Sequence, residues 1–191
     1  FEPSFRVSGM KPQLWNAVTG EIRSLNEYTE VNGRTSVPLK MEAHRSWFVV
    51  FTNNDENIGN GFEKNFPEFK QIQTVETEWT VDFQNKDIGP SAPVKFKSLS
   101  DWSLSDNEKI KFYSGTATYE TSFELNNIPE NEELFINLGN VGVMAKVRIN
   151  GKDIGGTWIA PYRLKATEYL KKGTNNIEIE VVNLWRNQLI K

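Results

Sequence analysis

The last third of this chain, residues 111–190, is written almost entirely in short alternating runs separated by tight-turn dipeptides. In residues 176–183, Ile177, Ile179 and Val181 alternate with Glu178 and Glu180. A period of two sends successive side chains to opposite faces of a strand, so this segment should turn one face to a core and the other to water. Asn150-Gly151 separates two more such runs, and both central positions of a type I′ turn need the positive φ that Asn and Gly accept. That turn sets an expected register in which Val147 opposes Ile154 toward the core and Arg148 opposes Asp153 outside, as a cross-strand ion pair. Asn32-Gly33, between residues 28–31 and 34–37, repeats the signal near the other end.

Helical periodicity is scarce, and the only helical turn expected lies around Thr167 to Leu170. Residues 53–60 interrupt the strand pattern with polar turn formers after the apolar strand 47–51. We therefore expect three segments. Residues 1–53 form a small, hairpin-rich β module, too short to bury an adequate core alone and expected to be the end of a preceding β-sandwich or else to pack on its neighbour. Residues 54–72 are a linker or long loop. Residues 73–191 have the length of one β-sandwich of about eight strands. The expected fold class is all-β.

Composition narrows the partners. The chain has 22 Lys and Arg against 25 Asp and Glu, a net charge of −3, and its basic residues are scattered. Nucleic acid is therefore not an expected partner. No apolar stretch is long enough to cross a bilayer as a helix, so no membrane association is expected. Cysteine is absent, which excludes disulfides and thiolate metal sites without fixing the compartment. The first residue is Phe1, and the segment that follows has no signal-like character. We read the chain as beginning inside a longer polypeptide.

A glycoside-cleaving site needs two carboxylates flanking the bond in a cleft. Glu178 and Glu180 share a strand face that the alternation turns to water, and Glu130, Glu132 and Glu133 cluster in a polar turn. Asp101, Asp106 and Glu108 surround Trp102 in a loop whose oxygens suit calcium, but a solvated loop is the expected state and no cofactor is assigned. Residues 53–64 imitate an EF-hand at Asn53, Asp55 and Asn57. They fail it at Ile58, where the turn needs Gly, and at Lys64, where the bidentate Glu belongs. His44 is the only histidine and no nucleophile elbow accompanies it, so no hydrolytic triad is expected. Gly155-Gly156 lacks the helix and Lys-Ser/Thr of a phosphate cradle.

What remains is aromatic and amide-rich. Trp158 lies in a loop between two strands, Tyr162 and Arg163 follow it, and Asn183, Trp185 and Asn187 close the last strand. An aromatic face with Arg and Asn hydrogen bonds is the usual chemistry of sugar recognition, and these six residues are the candidate carbohydrate-binding set. The alternative is that Trp158 and Trp185 plug the end of the sandwich or its seam with a neighbouring domain.

Several of these segments resemble a known family. Residues 112–123 (Phe-Tyr-Ser-Gly-Thr-Ala-Thr-Tyr-Glu-Thr-Ser-Phe) resemble the strand pair that opens the jelly-roll sugar-binding domain of glycoside hydrolase family 2 and its relatives. Residues 138–155 resemble its signature hairpin, and Tyr162-Arg163, residues 170–176 and residues 181–190 complete it. The wording is also similar to the C-terminal region of large α-L-rhamnosidase-like proteins of glycoside hydrolase family 106, common in gut Bacteroidetes. Residues 15–22 and 46–51 look like the module preceding the jelly roll in such proteins.

The resemblance implies a jelly-roll β-sandwich of the galactose-binding-domain-like type, in a secreted or periplasmic glycoside hydrolase. Its partners would be carbohydrate and the catalytic domain of the same parent polypeptide. The family's catalytic carboxylates belong to that other domain, so none is carried over and this chain is not itself expected to be an enzyme. Relatives usually have an Asp-hydrophobic-Thr run after the Tyr-Arg strand where this chain has Lys165-Ala166-Thr167, so no role for that Asp is carried over. The implied function is an accessory, carbohydrate-binding-like domain that braces the catalytic domain and contacts glycan near Trp158. The alternative is a purely architectural β-sandwich without ligand.

Overall fold

The computed structural model describes residues 1–42, 45–53, 63–130 and 132–190. His44, and residues 54–62 with the EF-hand-like positions Asp55, Asn57 and Ile58, lie outside the described residues. The chain divides into two compact units, Phe1–Ile72 and Gln73–Lys191.

The first unit contains β1 (Ser4–Phe5), β2 (Lys11–Trp15), β3 (Ile22–Ser24), β4 (Thr29–Val31), β5 (Arg34–Ser36) and β6 (Phe48–Thr52). They form two three-stranded antiparallel sheets, ordered β1-β5-β4 and β3-β2-β6. Asn32 and Gly33 join β4 to β5 with φ of 51° and 70°, the left-handed pair that a type I′ turn demands. Leu14, Leu25, Val37 and Leu39 form a small buried core, with Phe5, Trp47, Val49, Phe51 and Phe66 packed against it. Residues 63–72 carry no strand, yet Asn65 among them is only 1% exposed. Its side-chain amide donates to the Glu27 and Pro38 carbonyls and its Oδ1 accepts from Glu27 N, while its own N–H donates to Glu27 Oε2 at 2.7 Å. A buried amide is tolerated when its hydrogen-bonding groups are satisfied in this way.

The second unit contains β7 (Trp79–Phe83), β8 (Val94–Phe96), a 3-10 turn (Trp102–Leu104), α1 (Glu108–Lys111), β9 (Thr116–Leu125), β10 (Phe135–Asn137), β11 (Met144–Ile149), β12 (Lys152–Thr157), β13 (Arg163–Lys165), β14 (Gly173–Val182) and α2 (Arg186–Leu189). Six strands form one sheet ordered β12-β11-β14-β9-β7-β8, and β10 pairs with β13 in a second. Every pairing is antiparallel. The alternation decides which face is inside. Ala117, Tyr119, Phe123 and Leu125 of β9, Ala145, Val147 and Ile149 of β11, and Ile177 and Ile179 of β14 are buried. Leu134, Ile136, Leu138, Leu164 and Ala166, on and beside the two-stranded sheet, belong to the same core. This is a mostly-β sandwich, as the alternation in the sequence leads one to expect.

One end of that core is aromatic. Tyr113, fully buried, makes edge contacts with Phe83 at 4.8 Å and Trp102 at 5.6 Å between ring centroids. Its hydroxyl accepts from Asn85 N at 3.0 Å and donates to Thr116 O at 2.8 Å, so a buried phenol keeps both partners. Trp102 Nε1 donates to the Tyr119 hydroxyl in the same cluster.

Three local expectations are corrected. A register shift between Val147 and Arg148 leaves Val147 opposite Gly155 rather than Ile154. A bulge adds an unpaired residue to one strand, and Gly155 absorbs it at φ 101°, a backbone angle a side chain would resist. Arg148 does lie opposite Asp153, but the close ion pairs are Arg148 with Glu178 at 2.6 Å and Lys146 with Asp153 at 2.8 Å. The single turn expected at Thr167 to Leu170 is present, closed by Tyr169 N and Leu170 N on the Ala166 carbonyl at 2.9 and 3.1 Å, but it is not the only helical feature, since short helices lie at 108–111 and 186–189. Asn107 caps the first of these by accepting from Lys109 N at 3.0 Å.

Candidate functional site

The six candidate residues fall in two segments. Trp158 follows the last residue of β12 and is 57% exposed. Thr157 Oγ1 donates to the Ile159 carbonyl at 3.2 Å, a bond that spans Trp158 in the chain. Tyr162 packs half-buried against the main core, and its carbonyl accepts from Leu138 N at 2.8 Å. Arg163 is half-buried on β13 opposite Asn137.

The second segment runs past β14. Asn183 Oδ1 accepts from Gly115 N and its amide donates to the Tyr113 carbonyl, both at 2.8 Å. Its side chain is thus committed to the backbone before β9. Trp185 is 75% exposed and Asn187 is half-buried within α2. Strand register brings the two segments to one end of the six-stranded sheet. Thr157 and Val181 both pair with Ala145, on either side of β11. Neighbouring strands are about 4.7–4.9 Å apart, so the ends of β12 and β14 are separated by roughly 10 Å.

Charged chemistry collects elsewhere, on the outer face of the sheet. A groove of about 510 Å³ there is lined by Glu78, Thr80, Lys95, Glu120, Arg148 and Glu178 among others. Register explains the assembly: Arg148 opposes Glu178, Glu178 opposes Glu120, Glu120 opposes Thr80, and Thr80 opposes Lys95. Two carboxylates directly across from each other repel. Arg148 offsets this by binding Glu178 at 2.6 Å and lying 3.9 Å from Glu180, and the Glu178 hydrogen bond in turn holds the guanidinium still more firmly protonated. Lys95 bonds Thr80 at 2.8 Å and lies 3.4 Å from Glu78. Here Glu120 is exposed, and Glu78 retains 50% and Glu178 31% of side-chain exposure.

Asp153 shows the same surface electrostatics. Its hydrogen bond from Lys146, then one from Gly155 N, holds its carboxyl below the usual carboxylate range. In the loop considered for calcium, Asp101 Oδ1 caps the 3-10 turn by accepting from Ser103 N at 2.9 Å. Among the described residues no group of three or more His, Asp or Glu side chains could hold a metal.

Sequence inspection did not single out Glu120, Thr80 and Lys95, because their juxtaposition depends on strand order. It also passed over Leu184, Leu189 and Ile190 as a group, although their apolar character directly after an amphipathic strand was a usable signal.

Fold and site together define a β-sandwich domain with an aromatic, partly exposed end and a solvated, ion-paired outer face. The family model for the glycosyl hydrolase 2 galactose-binding domain-like region matches residues 94–190, just over half of the chain, and the chain belongs to that family. A rhamnosidase from Novosphingobium sp. PP1Y is structurally similar over 99% of this chain, with a TM-score of 0.83 and 34% identity, and this match covers 18% of that protein. A Formosa agariphila protein named "Putative beta-glucuronidase" is 42% identical over 114 residues, 59% of this chain and 10% of its own length. A beta-galactosidase of Clostridium acetobutylicum is 22% identical over 157 residues, 81% of this chain and 18% of that protein. The chain therefore spans less than a fifth of each of these relatives. The resemblance read from the sequence, to galactose-binding-like domains of glycoside hydrolases and to a rhamnosidase, stands.

Proposed function

We propose that this chain is a non-catalytic accessory domain of a larger, exported glycoside hydrolase, which braces the catalytic domain and offers the Trp158 loop to glycan. The observation that carries this reading is one of proportion: nearly the whole chain corresponds to 18% of a rhamnosidase. The outer-face carboxylates support the non-catalytic part, since they are solvated and Glu178 is held in an ion pair. The 57% exposure of Trp158 supports the glycan contact, because a flat apolar ring left in water can stack on a sugar. A purely architectural role is favoured by one specific feature, the commitment of both ends of the Asn183 amide to backbone groups.

Two measurements test the proposal. The purified chain should show no turnover of aryl-glycosides, and measurable turnover would overturn the accessory role. Calorimetry with rhamnose, galactose and pectic oligosaccharides should give binding that weakens about tenfold or more, about 1.4 kcal/mol, in Trp158→Ala. Silence across those sugars leaves the architectural reading.

A further inference from the structure

Beyond β14 the chain makes a short apolar corner. Leu184 is 60% exposed, Trp185 75%, Leu189 80% and Ile190 65%. Arg186 is the one charged residue between Leu184 and Ile190. The exposure does not come from a loose tail. Ser114 Oγ donates to the Leu184 carbonyl at 3.1 Å and accepts from Gln188 N at 3.0 Å. Asn183 is clamped to Gly115 and Tyr113, and Tyr113 is fully buried in the aromatic core. The backbone that carries the four apolar side chains is thus fixed to the interior at several points while the side chains stay in water.

We propose that this corner is the surface on which the remainder of the parent glycoside hydrolase docks, a proposal that rests on the accessory-domain reading above. The composition fits a protein partner better than a sugar. Trp185 and Arg186 are of the types enriched at interface hot spots, and the aliphatic side chains beside them are of the kind that surround such anchors and exclude water. Three of the four exposed apolar residues are aliphatic and offer no flat face to a pyranose ring. The neighbouring hydrogen-bonding groups, Asn183 and Ser114, are already engaged with backbone.

The size fits as well. Four such side chains present on the order of several hundred Å² of apolar surface, near the upper end of what a free monomer leaves in water. Interfaces between domains of one chain bury roughly 600–1,500 Å² over both sides, so the corner is of the right order for one side. Its pre-set backbone lowers the ordering cost of docking. The relatives supply the occupant: the rhamnosidase match covers only 18% of that protein, so most of such an enzyme lies beyond the region matched here.

Hydroxyl-radical footprinting read residue by residue tests this on the 191-residue chain and on the whole parent enzyme. Leu184, Trp185, Leu189 and Ile190 should react at least about fivefold more slowly in the parent, with the chain alone fully reactive at every concentration. Equal rates in the two proteins would overturn the proposal. So would protection in the chain alone that grows with its concentration, which would make the corner a self-association surface. Protection in the chain alone on adding a pectic oligosaccharide would also overturn it. The two readings fail separately: glycoside turnover by the chain alone sinks the accessory role, whereas equal footprints with turnover confined to the parent sink only the docking surface.

Discussion

Asn183 closes the second unit against Tyr113: its amide donates to the Tyr113 carbonyl at 2.8 Å, while Oδ1 takes the N–H of Gly115 two residues on. One side chain past the end of β14 thereby satisfies a donor and an acceptor on the turn that leads into β9. It ties the residues that carry Trp185 to the aromatic core.

Replacing Asn183 by Ala should cost about 1–3 kcal/mol, since two partly buried backbone groups lose their partners. Asn183→Asp keeps the acceptor for Gly115 but aims a carboxylate at the Tyr113 carbonyl, and should be at least as damaging. Urea unfolding would show both as a lowered midpoint with unchanged slope.

Gly89 lies hard against the Tyr113 ring. A Cβ added there would stand 2.8 Å from Tyr113 Cε2 and 2.9 Å from the Asn85 carbonyl oxygen, both too close without movement. Gly89→Ala should destabilise by about 1–3 kcal/mol through overpacking. Tyr113→Phe keeps the ring but strands Asn85 N and the Thr116 carbonyl, for about 1–2 kcal/mol. Thermal unfolding of the two variants should give comparable losses.

Burial raises the Tyr119 phenol above its ordinary value of 10.0, with the Trp102 hydrogen bond acting in the opposite direction. The fold therefore favours the neutral phenol. As pH climbs past that ordinary value, the unfolded chain loses this proton first, so stability should fall until the folded phenol also ionises. Tyr119→Phe should flatten that part of the decline, read as the change in urea midpoint between about pH 9 and pH 11.

Asp153 behaves oppositely. The Lys146 hydrogen bond, aided by Gly155 N, lowers its carboxyl pKa from the ordinary 3.8. Its stabilising contribution is present above that value and disappears as pH falls through the lowered one. Carbon-detected NMR titration should show the Asp153 midpoint moving up in Lys146→Met. An unmoved midpoint would contradict the assigned partner.

Much of the fold was legible because its determinants are local. Asn150 and Gly151 adopt φ of 52° and 77°, as an Asn-Gly turn between strands requires. The outward glutamates of β14 sit where the alternation puts them. The bulge at Ile154 was not legible: alternation reports which residues share a face, but not that one residue will go unpaired. Nor was α2, since a four-residue helix is too short to show a period. For the candidate site, the residue types were legible and their engagements were not. An Asn suited to a sugar hydroxyl is equally suited to a backbone carbonyl, and only proximity reveals that Asn183 meets Tyr113 and Gly115.

The sequence by itself determined that this protein is built of strands, where its hairpins turn, and which face of each strand seeks the core. Those choices follow from φ preferences and a two-residue period, which act within a few residues. Only the tertiary structure decided that β14 lies between β11 and β9, that Glu120 therefore opposes Glu178, and that Trp158 and Trp185 share an end of one sheet. Strand order is set by how whole apolar faces pack against one another, and no short stretch of sequence carries that information.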